Sequence, residues 1–211
     1  MTTPSVEREP SAAESLFGSR IDLARKFTAA LVAEGELRGL IGPLELPRIW
    51  TRHILNSAIA APLFYGSVAD VGSGAGLPGL VLAISRPDVQ WTLIEPMDRR
   101  VTWLNEQVQS LGLDNVTVMR ARGEDVGLEF DVVTARAVSA LRTLIPITAP
   151  LVKDGGELIL LKGQNVDGEI TAAHKVLKKH KVTDVSVEVL GEGTLTESTR
   201  VFRGKVRSAA R

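Results

Sequence analysis

The chain has 211 residues, 25 Lys+Arg against 25 Asp+Glu, 44% hydrophobic residues and no cysteine. That length admits one ordinary domain plus an appendage, and that apolar content excludes disorder as the main state. The missing thiols exclude disulfides, zinc-thiolate and iron–sulfur sites and a cysteine nucleophile, while zero net charge argues against a protein that coats nucleic acid non-specifically.

Residues 1–15 are rich in Pro, Ser and Glu, lack an apolar leader segment, and are expected to form a mobile tail. From Ser15 to Ala61 apolar residues recur at helical spacing: Leu16, Ile21, Leu23, Phe27, Leu31 and Val32, then Ile49, Trp50, Ile54 and Leu55 after the breaks at Gly35, Gly39, Gly42 and Pro43. This predicts a helical cap over 16–64 whose second helix covers Leu46–Ala61.

Beyond Gly66 the texture changes. Strands are predicted at 67–71, 90–94, 116–119, 130–134 and 157–161, with helices at 77–86, 98–111, 141–151 and 170–180 between or after them. Two final strands, 183–190 and 199–206, follow without an intervening helix. Alternation of this kind implies an α/β domain over 65–207, with a mostly parallel, helix-covered seven-stranded sheet ending in an antiparallel hairpin. No run reaches the roughly 18 apolar residues of a membrane span, and a cytoplasmic protein is expected.

The sharpest signal is Asp70-Val71-Gly72-Ser73-Gly74-Ala75-Gly76-Leu77-Pro78-Gly79 at a strand-to-helix turn. Glycines at this density let the backbone take positive φ and let a ligand approach the main chain. An unliganded turn is the plain alternative. Gly74–Gly79 also fits the G-x-G-x-x-G dinucleotide pattern, which leaves a nicotinamide-dependent oxidoreductase open. Against it, Asp70 stands where a pyrophosphate would be repelled and a cationic amino-acid group held, so S-adenosylmethionine suits the loop better.

Glu95 ends the next strand, where a carboxylate accepts ribose hydroxyls. Arg120 to Asp125 follow the third strand and border the adenine in an adenosine-binding fold; a solvated charge cluster is the simpler reading. Arg136 and Lys162 follow the fourth and fifth strands, placed at one crevice to clamp phosphates or a cofactor carboxylate, although strand-end cations are often surface residues. His53, with Asn56 beside it, reads as a structural link from cap to sheet. The charge is uneven: residues 153–211 carry 11 Lys/Arg against 8 Asp/Glu, and residues 1–152 carry 14 against 17. Lys175 to Lys181 fit a solvated helix face, and Arg200 to Arg211 an RNA-facing tail.

The segments RHILNS at 52–57, DVGSGAGLPG at 70–79, Arg122-Gly123-Glu124, Ala135-Arg136-Ala137 and Leu161-Lys162-Gly163 together resemble the RsmG (GidB) methyltransferases. The resemblance runs over about 45–205. It implies a class I S-adenosylmethionine-dependent (Rossmann-like) fold and methylation of guanine N7 in the decoding-region loop of 16S ribosomal RNA, free or in the small subunit. It also implies cofactor contacts at Gly72, Leu77, Gly123, Glu124 and Arg136, with Glu95 at the ribose; the reading of the loop itself adds Asp70, Gly74 and Gly76. Arg136 and Lys162 are the residues expected to serve the transfer itself, in a monomer without a metal. The sequence departs from the family in its N-terminal helix, which reads ALVAEGELRGLIGP rather than a tryptophan–asparagine-rich segment. Pro96 also stands where serine is frequent, and Gly123 where alanine is. A cofactor-dependent RNA-binding module without catalysis is a further alternative. No cysteine and no Asn/Asp-Pro-Pro-aromatic motif is present, which disfavours carbon and exocyclic-amine methylation.

Overall fold

The computed structural model describes residues 5–207. Two helices open the chain, α1 (Ala12–Phe17) and α2 (Ile21–Glu34). The predicted helix over 46–61 is broken into a 3₁₀ turn at Pro43–Arg48, a π-helical stretch at Ile49–Leu55 and the short α3 (Asn56–Ala58). Pro47 lies within the first of these and has no backbone N–H to donate into a regular α-helix.

The sheet strands are β1 (Ser67–Val71), β2 (Gln90–Ile94), β3 (Val116–Met119), β4 (Phe130–Thr134), β5 (Val152–Lys162), β6 (Val182–Leu190) and β7 (Thr199–Val206). They lie in the order β3-β2-β1-β4-β5-β7-β6, with the first five parallel and β7 antiparallel to both its neighbours. The order reverses between β1 and β4, and ligands of open α/β sheets bind at the carboxyl ends of strands beside such a reversal. Helices α4 (Gly79–Ser85), α5 (Asp98–Leu111), α6 (Leu141–Thr148) and α7 (Val166–Lys179) cover the faces.

Two apolar layers sandwich the sheet. One joins the N-terminal helices through Phe27, Ile54 and Phe64 to Trp91 and Trp103, and the other holds α6 and α7 through Leu144, Ile145 and Leu177. Burial of such side chains contributes about 1.5–3 kcal/mol each. The cap therefore shares a core with the α/β domain.

Two expectations need correction. Residues 5–15 are not loose. Glu7 accepts hydrogen bonds from the backbone N–H and the hydroxyl of Thr51, Glu9 pairs with Arg25 at 2.7 Å, and Ala13 is fully buried. A polar composition suggested a tail because those partners lie far along the chain; residues 1–4 are outside the described residues. The fifth strand also begins earlier than expected, at Val152. The turn at Asp154–Gly156 is absorbed as a bulge: Phe130 pairs with Val152, but Val132 pairs with Glu157. Among the described residues no helix is long and apolar enough to cross a membrane.

Candidate active site

The glycine loop leaves β1 and turns under the carboxyl end of β2. The N–H groups of Gly72 and Ser73 both donate to the Ile94 carbonyl, at 2.8 and 3.2 Å. Gly72 has φ +74°, and a Cβ there would lie 2.9 Å from Val138 Cγ2, so a side chain is disfavoured by both backbone and space. Gly79 is required for a different reason: a Cβ would come within 2.4 Å of Asp70 Oδ2. The loop is tied from below by Trp103, whose buried indole N–H donates to the Ala75 carbonyl at 3.0 Å. Arg38 lies over the Trp103 ring at 5.3 Å, linking the cap to this support.

Asp70 does not present its carboxylate to an open crevice as expected. It is fully buried beneath the loop, where Oδ2 accepts from the Gly79 N–H at 3.1 Å and Oδ1 has no partner. Burial, opposed by the Ser73 and Gly79 hydrogen bonds, raises its pKa to about 7. The residue organises the turn from strand to helix.

Glu95 is at the expected strand end and is also buried, with Oε2 accepting from the Gly74 N–H at 3.0 Å and Oε1 from the Met97 N–H at 2.9 Å. Each carboxylate oxygen has a second lone pair, so capacity remains for a ribose hydroxyl. Gly123 is packed against Ile147 and Val71 in the loop after β3, with Glu124 exposed beside it. Leu77 and Gly76 close the glycine loop, Gly76 donating to the Ser73 carbonyl at 2.7 Å. Two acids, Asp70 and Glu95, thus flank the loop, Asp70 sealed beneath it and Glu95 at the end of the neighbouring strand, an arrangement that opposes a pyrophosphate.

Arg136 and Lys162 meet at one cavity, but each is directed toward protein. Arg136 Nη1 donates to Ser57 Oγ at 3.0 Å and to the His53 carbonyl at 3.3 Å; Nη2 donates to the Arg52 carbonyl at 3.0 Å and contacts His53 Nδ1 at 2.8 Å. Burial, with the nearby Arg52 charge, lowers its pKa to about 10. Lys162 Nζ pairs with Glu169 and donates to the Ser139 carbonyl, at 2.8 and 2.9 Å, and Glu169 accepts in turn from the Leu141 N–H. Lys162 therefore anchors the 137–140 loop, in which Ala137 has φ +54°.

The cavity has a volume of about 860 Å³ and opens at the carboxyl ends of β4 and β5. Arg136, Ala137 and Val138 form its wall toward the glycine loop; Thr196, Glu197 and Ser198, from the turn into β7, and Arg200 of β7 line it as well. Arg52, Asn56 and Gln164 also line it. Sequence reasoning missed Arg52, Gln164 and the 196–198 turn as site residues. Arg52 opens the RHILNS segment and Gln164 follows Leu161-Lys162-Gly163, whereas nothing local marks the turn. Among the described residues no cluster of ligating side chains fit for a metal is present.

Comparison with known proteins decides the family. The model of the family described as GidB, rRNA small subunit methyltransferase G, matches residues 20–198. The chain belongs to that family. It is 65% identical to ribosomal RNA small subunit methyltransferase G of Leifsonia xyli over 97% of this chain and 100% of that protein. It is 60% identical to the protein of the same name from Clavibacter michiganensis, over 95% and 97%. Its fold is that of class I methyltransferases. It resembles a predicted O-methyltransferase of Agrobacterium tumefaciens with TM-score 0.58 at 18% identity, over 74% of this chain and 82% of that one. It also resembles the Bradyrhizobium japonicum N-methyltransferase NodS in complex with S-adenosyl-L-homocysteine, with TM-score 0.52 at 14% identity, over 74% and 86%. GidB-family membership removes the oxidoreductase and the non-catalytic RNA module, and S-adenosylmethionine is the cofactor.

Proposed function

We propose that this GidB-family chain methylates N7 of a guanosine in the 16S RNA of the small ribosomal subunit. The observation that carries the reading is the cavity beside the glycine loop: it is edged by Arg52 and Arg200, it is large enough for one unpaired nucleoside, and neither His53 nor Asp70 is free to act in it as a general base. His53 is half-buried and engaged at both ring nitrogens, and Asp70 is sealed under the loop. Guanine N7 carries an exposed lone pair and no proton, so its alkylation needs no base.

S-adenosylmethionine, when bound, supplies an electrophilic methyl group on a sulfonium. The chain's own contribution is placement and exclusion of water. Gly72, Gly74, Gly76 and Leu77 shape the backbone surface for the cofactor, with Gly123 and Glu124 at its adenine end and Glu95 at its ribose. Asp70 keeps that surface in shape from beneath. Arg136 acts as a positioning residue, fixing the 52–57 segment over the site, and Lys162 does the same for the loop of Val138. Arg200, and Arg52 through the part of its guanidinium not turned to Glu45, are the cations that would meet RNA phosphates. A flipped or single-stranded guanosine suits a pocket of this kind better than a regular duplex.

The helical cap (16–64) and the methyltransferase domain (65–207) act as one unit on this reading, since Arg136 and the shared core join them. A monomer in the cytoplasm is the state proposed for it, in keeping with a ribosomal RNA substrate.

The test is transfer of methyl-tritiated cofactor to small subunits, free 16S RNA and large-subunit RNA, all prepared without the modification. Label in small-subunit material alone is expected. Equal label in large-subunit RNA would overturn the substrate assignment.

A further inference from the structure

Glu197 is out of place in a pocket for RNA. It is half-buried in the cavity wall formed by the turn into β7, and among the described residues it has no hydrogen bond or ion pair. Its charge is felt by Arg136 across the cavity, yet no cation neutralises it by contact. A carboxylate facing phosphates is unfavourable, so an unpartnered one in this position calls for a ligand that donates hydrogen bonds.

Guanine is the RNA base whose Watson–Crick edge presents two adjacent donors, N1–H and N2–H, and a carboxylate is an acceptor at both oxygens. Those donors lie on the side of the purine away from N7. Val138, which stands over Gly72 of the glycine loop, and Glu197, from the turn into β7, line the same cavity. We infer that Glu197 accepts hydrogen bonds from N1–H and N2–H of the target guanine, selecting guanine over adenine and turning N7 toward the methyl donor. Adenine offers an acceptor at N1, which the carboxylate would repel. The inference rests on the function proposed above and names the residue that determines specificity.

The experiment compares wild-type protein with Glu197→Gln and Glu197→Ala on two RNAs, one with guanosine and one with inosine at the mapped target. Inosine keeps N7, O6 and N1–H but lacks the N2 amine. Wild-type kcat/KM is expected to fall about 10-fold or more on inosine, the cost typical of one hydrogen bond to a charged group. Glu197→Ala is expected to lose at least as much on guanosine and to treat the two RNAs alike. Affinity for S-adenosylhomocysteine should stay unchanged, and total RNA binding should hold or tighten because a negative charge is gone. Wild-type activity in Glu197→Ala, or an undiminished guanosine preference, overturns the assignment of Glu197 alone. If wild-type protein forms no 7-methylguanosine at all, the proposed function falls and the Glu197 assignment falls with it.

Discussion

Arg136 Nη2 stands 2.8 Å from His53 Nδ1, and that contact fixes the proton on the imidazole. A guanidinium only donates, so Nδ1 is the acceptor and the ring proton resides on Nε2, which donates to Glu45 Oε2 at 2.8 Å. Glu45, His53 and Arg136 thus form a chain of hydrogen bonds from the cap to the carboxyl end of β4.

Replacing Arg136 by Lys should separate cap from sheet. One ammonium cannot reach Ser57, His53 and the Arg52 carbonyl together, and the abandoned acceptors are partly buried. Urea unfolding should show a loss of about 2–4 kcal/mol, with methyl transfer falling in the protein that remains folded. Wild-type stability in Arg136→Lys would show that the four contacts do not join the two parts.

His53 should stay neutral where an ordinary histidine is half charged. Burial, reinforced by the Arg136 charge, lowers its pKa to about 4 despite Glu45. Between pH 6.5 and 4 the unfolded chain binds a proton that the folded chain refuses, so this residue makes stability fall as pH drops through that window. Asp70 acts oppositely. Its raised pKa means that the folded chain holds a proton between about pH 3.8 and 7 that the unfolded chain has released, so stability falls as pH rises there. His53→Gln keeps an acceptor and a donor without titrating, and should flatten the acid side of the stability profile. NMR titration of His53 near its ordinary pKa would contradict the burial argument.

Much of this fold is legible in the sequence. The alternation of apolar runs and helical stripes yields every strand in the right order, and the lack of a helix between 190 and 199 yields the antiparallel end. The glycine loop and Glu95 are legible because strand-end chemistry is local. Arg136 and Lys162 are legible as positions only. Their partners Ser57 and Glu169 come from other elements, and a sequence does not reveal which strand-end cation is already satisfied. For the same reason Glu7, held by Thr51 from 44 residues away, reads as part of a tail.

Trp103 supports the glycine loop from beneath. Trp103→Phe keeps most of the packing but leaves the buried Ala75 carbonyl without its donor. A stability loss of about 1–3 kcal/mol is expected, together with weaker S-adenosylhomocysteine binding by calorimetry. Unchanged affinity would show that the loop holds its shape without the indole.

Gly72→Asp should abolish cofactor binding. The left-handed backbone at φ +74° and the Val138 side chain 2.9 Å from a new Cβ leave no room, and a third carboxylate would join Asp70 and Glu95. Thermal shift with S-adenosylhomocysteine reads this directly, since a bound ligand raises the melting temperature. A wild-type shift in the variant would remove Gly72 from the cofactor surface.

The central claim concerns an atom, guanine N7. Its most direct test is borohydride reduction and aniline cleavage of 16S RNA after incubation with the protein and S-adenosylmethionine, because N7 methylation makes the ring labile to this treatment. Strand scission at a single guanosine, absent without the protein, is the predicted result. Methyl incorporation without scission would place the methyl group on another atom and contradict the account.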